Sequence, residues 1–269
     1  MKMYCITIYN DHYEKIKNLG YIPVGLGEEI FLSNFKTDNT GKNISIKNPF
    51  YGEYTFHYWI WKNKINQINT DEWLGFCQYR KFWANNISKN EIKNMQDLSN
   101  NVIKEIPEKY NKFEVILGEP LFINKFKISK IIKKGLLKTL TRPKFLFDQN
   151  ARNIEFHFDL MHGEGNLRKA IELLDHNDRK DFNYFVNTEV SFNPHNMFIC
   201  KSKKILQDYY ETVFPWLERC EKIYGFNLDS YGLKRIYGFL AERFLSYWFK
   251  KNSNYCTMPI LFKDISKLD

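Results

Sequence analysis

No Cys-x-x-Cys pair, no Asp-x-Asp triplet and no apolar run approaching the roughly 20 residues that cross a bilayer occurs in this 269-residue chain. The five cysteines (Cys5, Cys77, Cys200, Cys220, Cys256) are odd in number and widely spaced. That excludes a disulfide framework or a zinc knuckle and predicts a reducing compartment. The opening MKMYCITIYNDHYEK meets polar residues too early for a signal peptide. The expectation is a cytoplasmic protein that is neither exported nor threaded through a membrane. No internal repeat is present, and only one lysine-rich stretch has a biased composition.

What the chain has in quantity is aromatic surface: 23 Phe, 17 Tyr and 6 Trp make 17% of the residues, within a hydrophobic fraction of 43%. Such a chain packs, and its length suits one α/β core read as a single domain over residues 1–269. The formal charge of +9 is unevenly spread. Lys125 to Lys144 carries eight basic residues and no acidic one, so the remainder is nearly neutral.

Met3 to Tyr9 mixes β-branched and aromatic residues before the polar Asn10 and Asp11, which predicts a buried strand ending in a loop. Ends of this kind are where open α/β sheets bind ligands. A second strand is expected near Tyr21 to Leu26, and DNTGKNISIKNP from Asp38 to Pro49 is a run of turn formers. Aromatics spaced by three and four predict a helix from Tyr51 to Asn63. Further strands are expected at Glu72 to Phe76, running into CQYRKFW, and at Val115 to Leu117. Asn153 to Leu174 reads as a helix broken at Gly163 and Gly165, and Val190 to Cys200 as a strand with an Asn/Pro turn. Ile205 to Tyr224 reads as a helix kinked or broken by Pro215, and Tyr231 to Lys250 as a long docked helix.

Three blocks carry a resemblance: DNTGKNISIKNPFYGEYTFHYWIWKN, WLGFCQYRKFW and RIYGFLAERFLSYWF, with a weaker fourth in SFNPHNMFICK. Together they resemble the domain-of-unknown-function glycosyltransferases of bacterial capsular and exopolysaccharide clusters. The likeness spans nearly the whole chain, with motifs specific in combination and weak singly. Gln78 stands where that family usually has His, and Tyr54 where it usually has Leu. The resemblance implies an α/β glycosyltransferase A-like fold with a mainly parallel sheet. It also implies transfer of a sugar from a nucleotide donor, commonly a UDP-sugar, to a hydroxyl of a polysaccharide or lipid-linked saccharide. A UDP-hexose and UDP-galactofuranose both remain open as donors.

Glycosyl transfer needs a nucleotide pocket, positive charge or hydrogen-bond donors on the leaving diphosphate, and a base for the acceptor hydroxyl. No cofactor is favoured, for want of an Asp-x-Asp triplet, although dispersed carboxylates leave Mn or Mg open. Arg80 at a strand end is then the first choice for the diphosphate and Arg243 the second, with Tyr79 adding a hydroxyl; a structural ion pair is the alternative for Arg80. Asp38, Asn39, Thr40, Gly41 and Asn43 offer donor-binding groups, or else merely satisfy a tight turn. Glu242, a carboxylate on an otherwise apolar helix, is the first base candidate, against a buried salt bridge with Arg243. Glu53 is the second. His162, Asn196, Gln78 and Trp61 are candidates for the acceptor or sugar.

In KFKISKIIKKGLLKTLTRPKF the apolar residues recur at near-helical spacing among lysines, the pattern of a helix lying on an anionic membrane, where each basic residue adds about 1 kcal/mol. A solvated excursion is the alternative. A nucleic-acid-binding protein or a non-catalytic carbohydrate-binding subunit would be rival functions; the former explains the charge and leaves the DNTGKNI, QYR and ERF motifs without a role.

Overall fold

The structure, a computed structural model, describes residues 1–70, 72–85, 91–125 and 148–269. These fall into two compact units, the first made of Met1–Glu119, His195–Glu211 and Phe249–Asp269, the second of Pro120–Pro194 and Thr212–Trp248.

The first unit is built on a sheet. Strand β1 (Lys2–Thr7) lies parallel to β2 (Ile22–Gly25) on one side and β4 (Leu74–Gln78) on the other, and β2 is parallel to β3 (Lys36–Thr37). Helix α1 (Tyr13–Asn18) connects β1 to β2, and its Ile16 is buried. Strand β9 (Phe198–Cys200) is antiparallel to both β4 and β6 (Val115–Gly118), and β10 (Tyr255–Met258) is parallel to β6. The path runs β10-β6-β9-β4-β1-β2-β3, while β5 (Lys81–Trp83) turns back from β4 and pairs with β11 (Ile260–Phe262). This mainly parallel α/β sheet is the class that the resemblance implied. Cys5 and Cys77, aligned on β1 and β4, are buried side by side in its core, and all five cysteines are free thiols.

The expected aromatic helix is two pieces, α2 (Asn48–Tyr51) and α3 (Tyr54–Asn63), separated at Gly52, whose φ of 57° no side-chain-bearing residue adopts easily. Helix α3 buries Tyr54, Phe56, His57 and Trp59. The Tyr54 hydroxyl meets that of Tyr209, and His57 Nδ1 lies 2.9 Å from the Tyr210 hydroxyl, while His57 Nε2 has no hydrogen-bond partner among the described residues. Burial holds the His57 imidazole down at about 3, so it packs as a neutral ring.

The second unit holds α5 (Ile154–His162), α6 (Asn166–Ile171) and α7 (His176–Thr188), with a small antiparallel pair, β7 (Leu121–Phe122) and β8 (Ser191–Phe192). The break expected at Gly163 and Gly165 is present. Helix α8 (Lys203–Tyr224), in contrast, is continuous through Pro215. Proline in a helix interior costs about 3 kcal/mol. Here Val213, Trp216, Leu217 and Cys220 are fully buried, and the Trp216 indole donates to the Ala170 carbonyl at 2.7 Å; such burial, at about 1.5–3 kcal/mol per large apolar side chain, outweighs the loss. The long helix expected at the C-terminal end is α9 (Tyr231–Lys234) followed by α10 (Ile236–Asn252). The sequence reading omitted α1, α4 (Met95–Asn101), α7, β3, β5, β7, β10 and β11.

Lys125 is described, with its ammonium 4.8 Å from the Phe122 ring centroid. The rest of the basic segment, and with it the membrane-contact expectation, lies outside the described residues. Among the described residues no helix is long and apolar enough to cross a membrane.

Candidate functional site

The strands β1, β2, β3 and β4 run the same way, so their carboxyl ends, Thr7, Gly25, Thr37 and Gln78, share one edge of the sheet. Ligands of open α/β sheets bind at such edges. Asp38 follows β3 directly and is 4% exposed. It lines a cavity of about 700 Å³ together with Gly25, Thr37, Asn39, Thr40 and Asn48. Burial raises its carboxyl pKa against the opposing hydrogen bonds from Thr55 and its own amide, and Oδ2 has no hydrogen-bond partner among the described residues. A buried acceptor without a donor is costly. Oδ2 is itself closed to solvent, so a donor in the cavity reaches it only if the side chain turns.

The rest of the loop divides between cavity wall and turn chemistry. Asn39 Oδ1 accepts from Thr37 Oγ1 at 2.7 Å, and the Thr40 carbonyl and hydroxyl both accept from the Trp59 indole, at 2.9 and 3.0 Å. Gly41 has φ 57°, and a Cβ there would sit 2.3 Å from Asn63 Oδ1, so the close packing of the loop on α3 requires glycine. Asn43 bonds the Gly41 carbonyl and accepts from Ser45. Thus Asp38, Asn39 and Thr40 face the cavity, whereas Gly41 and Asn43 shape the loop.

A second cluster forms at the β4 end of the same edge. Glu53, at the N-terminus of α3, receives Gln78 Nε2 at 3.3 Å and Asn196 Nδ2 at 2.9 Å, both on Oε1. Gln78 also donates to the His195 carbonyl at 2.9 Å and accepts from Lys81 Nζ at 3.1 Å. Three residues singled out from the sequence, Glu53, Gln78 and Asn196, therefore meet. His195 and Asn196 hold this arrangement in left-handed backbone, at φ 79° and 54°, an unusual conformation for two successive non-glycine residues. Burial, aided by the Lys81 charge, lowers the His195 pKa to about 3. His195 and Lys81 were missed. The Asn-Pro-His-Asn turn was the available signal for the first, and the second is marked only by its pairing with Gln78.

Tyr79 and Arg80 form the two-residue turn between β4 and β5. The Tyr79 ring packs edge-on against Tyr9, at 5.6 Å, and beside His12. Arg80 Nε is 2.9 Å from Asp264 Oδ2, and its guanidinium lies 4.7 Å from the Tyr79 ring centroid. Trp61 is half-buried, edge-on to Tyr58, with the Lys62 ammonium over its ring.

The remaining candidates belong to the second unit. Glu242 and Arg243 form an ion pair in which both side chains are nearly inaccessible. The guanidinium lies 4.0 Å from the Phe192 ring centroid, and burial lowers its pKa against the pull of Glu242. His162 lies near the Gly232 carbonyl through Nδ1 at 3.1 Å and stacks on Phe239. Both arrangements are interior ones, with Arg243 Nε left without a hydrogen-bond partner among the described residues. Among the described residues no group of three or more His, Cys, Asp or Glu side chains is placed to hold a metal ion.

The family model of the domain of unknown function DUF4422 matches residues 4–253. No curated protein matches the chain. Among solved structures, the chain is similar to one described as the apo structure of the WbbM bifunctional glycosyltransferase, with a TM-score of 0.56 and 20% identity. The similarity covers 98% of this chain and 45% of that one, so the chain spans less than half the length of that protein, and the likeness is one of fold.

Proposed function

The chain belongs to the DUF4422 family, and from that premise we propose that it is a glycosyltransferase that moves a sugar from a nucleotide donor to a saccharide hydroxyl. The observation that carries this reading is Asp38: a buried carboxylate with an unmatched oxygen, in a cavity of about 700 Å³ at the carboxyl edge of a parallel sheet. A turn of the Asp38 side chain that brings Oδ2 to the cavity would let a ribose hydroxyl or the N–H of a pyrimidine base supply what it lacks. The likeness in fold to a bifunctional glycosyltransferase supports the same reading. Acidic residues Glu28 and Glu29 also line the cavity, which disfavours a nucleic-acid backbone as its occupant.

In the reaction so proposed, the bond between the donor's anomeric carbon and its diphosphate oxygen breaks, with the electron pair leaving on the diphosphate. The acceptor oxygen bonds the anomeric carbon, and its proton passes to a carboxylate. Glu53 takes that role in preference to Glu242, because two amides orient it at the sheet edge and it shares the first unit with the Asp38 cavity. The donor class we infer is a UDP-hexose or UDP-galactofuranose, and the acceptor a capsular or exopolysaccharide chain or its lipid-linked precursor. The lysine-rich sequence from Lys125 to Lys144 supports work beside an anionic membrane on the cytoplasmic side.

A panel of nucleotide-sugars, with and without Mn²⁺, read by thermal shift and by mass spectrometry of the products, tests the proposal. Stabilisation by a nucleotide-sugar, weakened by Asp38→Asn, together with release of nucleoside diphosphate is expected. Stabilisation by oligonucleotides and by no nucleotide-sugar would overturn it.

A further inference from the structure

We infer that Lys81, rather than Arg80, is the cation that receives the donor's diphosphate. This rests on the glycosyltransferase reading and adds to it the residue that binds the leaving group. The Asp38 cavity is lined by three carboxylates, Glu28, Glu29 and Asp38, and among the described residues no lysine or arginine joins them. A diphosphate would be repelled there, whereas the uncharged nucleoside end of a donor would not. The anionic end must then extend along the sheet edge towards a cation.

The QYRK hairpin supplies two. Arg80, in the turn, points its Nε to Asp264 and lays its guanidinium by Tyr79. Lys81 is different by geometry. Gln78 and Lys81 are paired across the antiparallel β4–β5 ladder, which puts their side chains on one face, and the 3.1 Å bond between Lys81 Nζ and Gln78 Oε1 follows from it. Because Gln78 Nε2 bonds Glu53, the ammonium stands one side chain away from the proposed base. From β3, which precedes Asp38, to β4 is three strand spacings in the order β3-β2-β1-β4. That is about 14 Å at roughly 4.8 Å per strand, a span that an extended nucleoside diphosphate bridges. The Lys81 charge already reaches the cluster, since it adds to burial in lowering the His195 pKa. A lysine also suits the task, being a compact charge on a flexible stem that can follow an oxygen as the bond to the anomeric carbon lengthens. As that bond breaks, the ammonium donates a hydrogen bond to the departing oxygen while the acceptor proton goes to Glu53.

Calorimetric titration of the whole chain with uridine, UDP and inorganic pyrophosphate separates the two ends of the ligand. Wild type is expected to bind UDP more tightly than uridine. Lys81→Met should weaken UDP and pyrophosphate by about tenfold or more, the size of one lost charge-assisted hydrogen bond, and leave uridine unchanged. Lys81→Arg should restore part of the loss. Lys81→Gln is a second neutral variant, and unchanged thermal melts confirm folding. If UDP affinity survives in Lys81→Met and falls in Arg80→Met, the assignment of Lys81 is wrong and the transferase reading stands. If wild type binds none of the three probes, both the assignment and the nucleotide-donor reading fall.

Discussion

Glu242 and Glu53, ranked first and second as the base from the sequence, sit in different surroundings. Glu53 is held by the neutral amides of Gln78 and Asn196 in the sheet-based unit, at the edge that also carries the Asp38 cavity. Glu242 is held by the guanidinium of its own neighbour, Arg243, inside the helical unit, with Phe192 stacked beneath that cation. Amides that donate to a carboxylate orient it at the sheet edge. A buried cation consumes the charge where it stands. The contrast teaches that a carboxylate on an apolar helix face marks an interior pair as readily as a reacting group.

The comparison breaks most decisively at Glu53. Glu53→Gln should lower transfer by about 10²–10⁴-fold, the usual worth of a general base, with the thermal midpoint and UDP affinity retained; turnover near wild type would remove Glu53 from the role. The mirror experiment is Glu242→Gln, which leaves Arg243 charged, buried and unmatched and should cost about 3–5 kcal/mol of stability. Denaturant titration measures that loss. Adding Arg243→Met to Glu242→Gln should recover much of it, and activity of the folded fraction should persist; intact stability with lost turnover would reverse the assignments of the two glutamates.

A smaller effect sharpens the comparison by bringing in the third carboxylate. Burial raises the Asp38 pKa in the folded protein, so between its ordinary and its raised value the folded state binds more protons than the unfolded one, and stability falls as pH rises through that window. Asp38→Asn removes the ionisation. It should therefore raise the ligand-free thermal midpoint at neutral pH, with the gain vanishing as the pH drops through the raised pKa towards the ordinary aspartate range. Midpoints recorded from pH 7 downwards check this, and a variant destabilised at neutral pH would show that the carboxylate has a partner in solution.

Much of the architecture was legible from periodicity. The first two strands, the break at Gly163 and Gly165, and the strand into Gln78 all lie close to their expected positions, because buried strands and glycine breaks write strong local patterns. Strands β5, β10 and β11 were not legible: each is three or four residues long, and pairing with distant partners, not local preference, makes them strands. Of the site we propose, Asp38, Glu53, Gln78 and Asn196 were singled out from residue type, position and the family resemblance, but nothing local says that Asn196 reaches back to Glu53 across 143 positions.

By itself the sequence determined the α/β class, the glycine-bound loop after β3 and the concentration of positive charge in one segment, since composition, turn chemistry and short-range spacing are properties of neighbouring residues. Only the tertiary structure decided which carboxylate meets amides and which meets a guanidinium, and that Lys81 lies beside Gln78 while Arg80 turns to Asp264. Those outcomes depend on burial and on contacts between distant segments, and Coulombic and desolvation energies follow distance in space rather than along the chain.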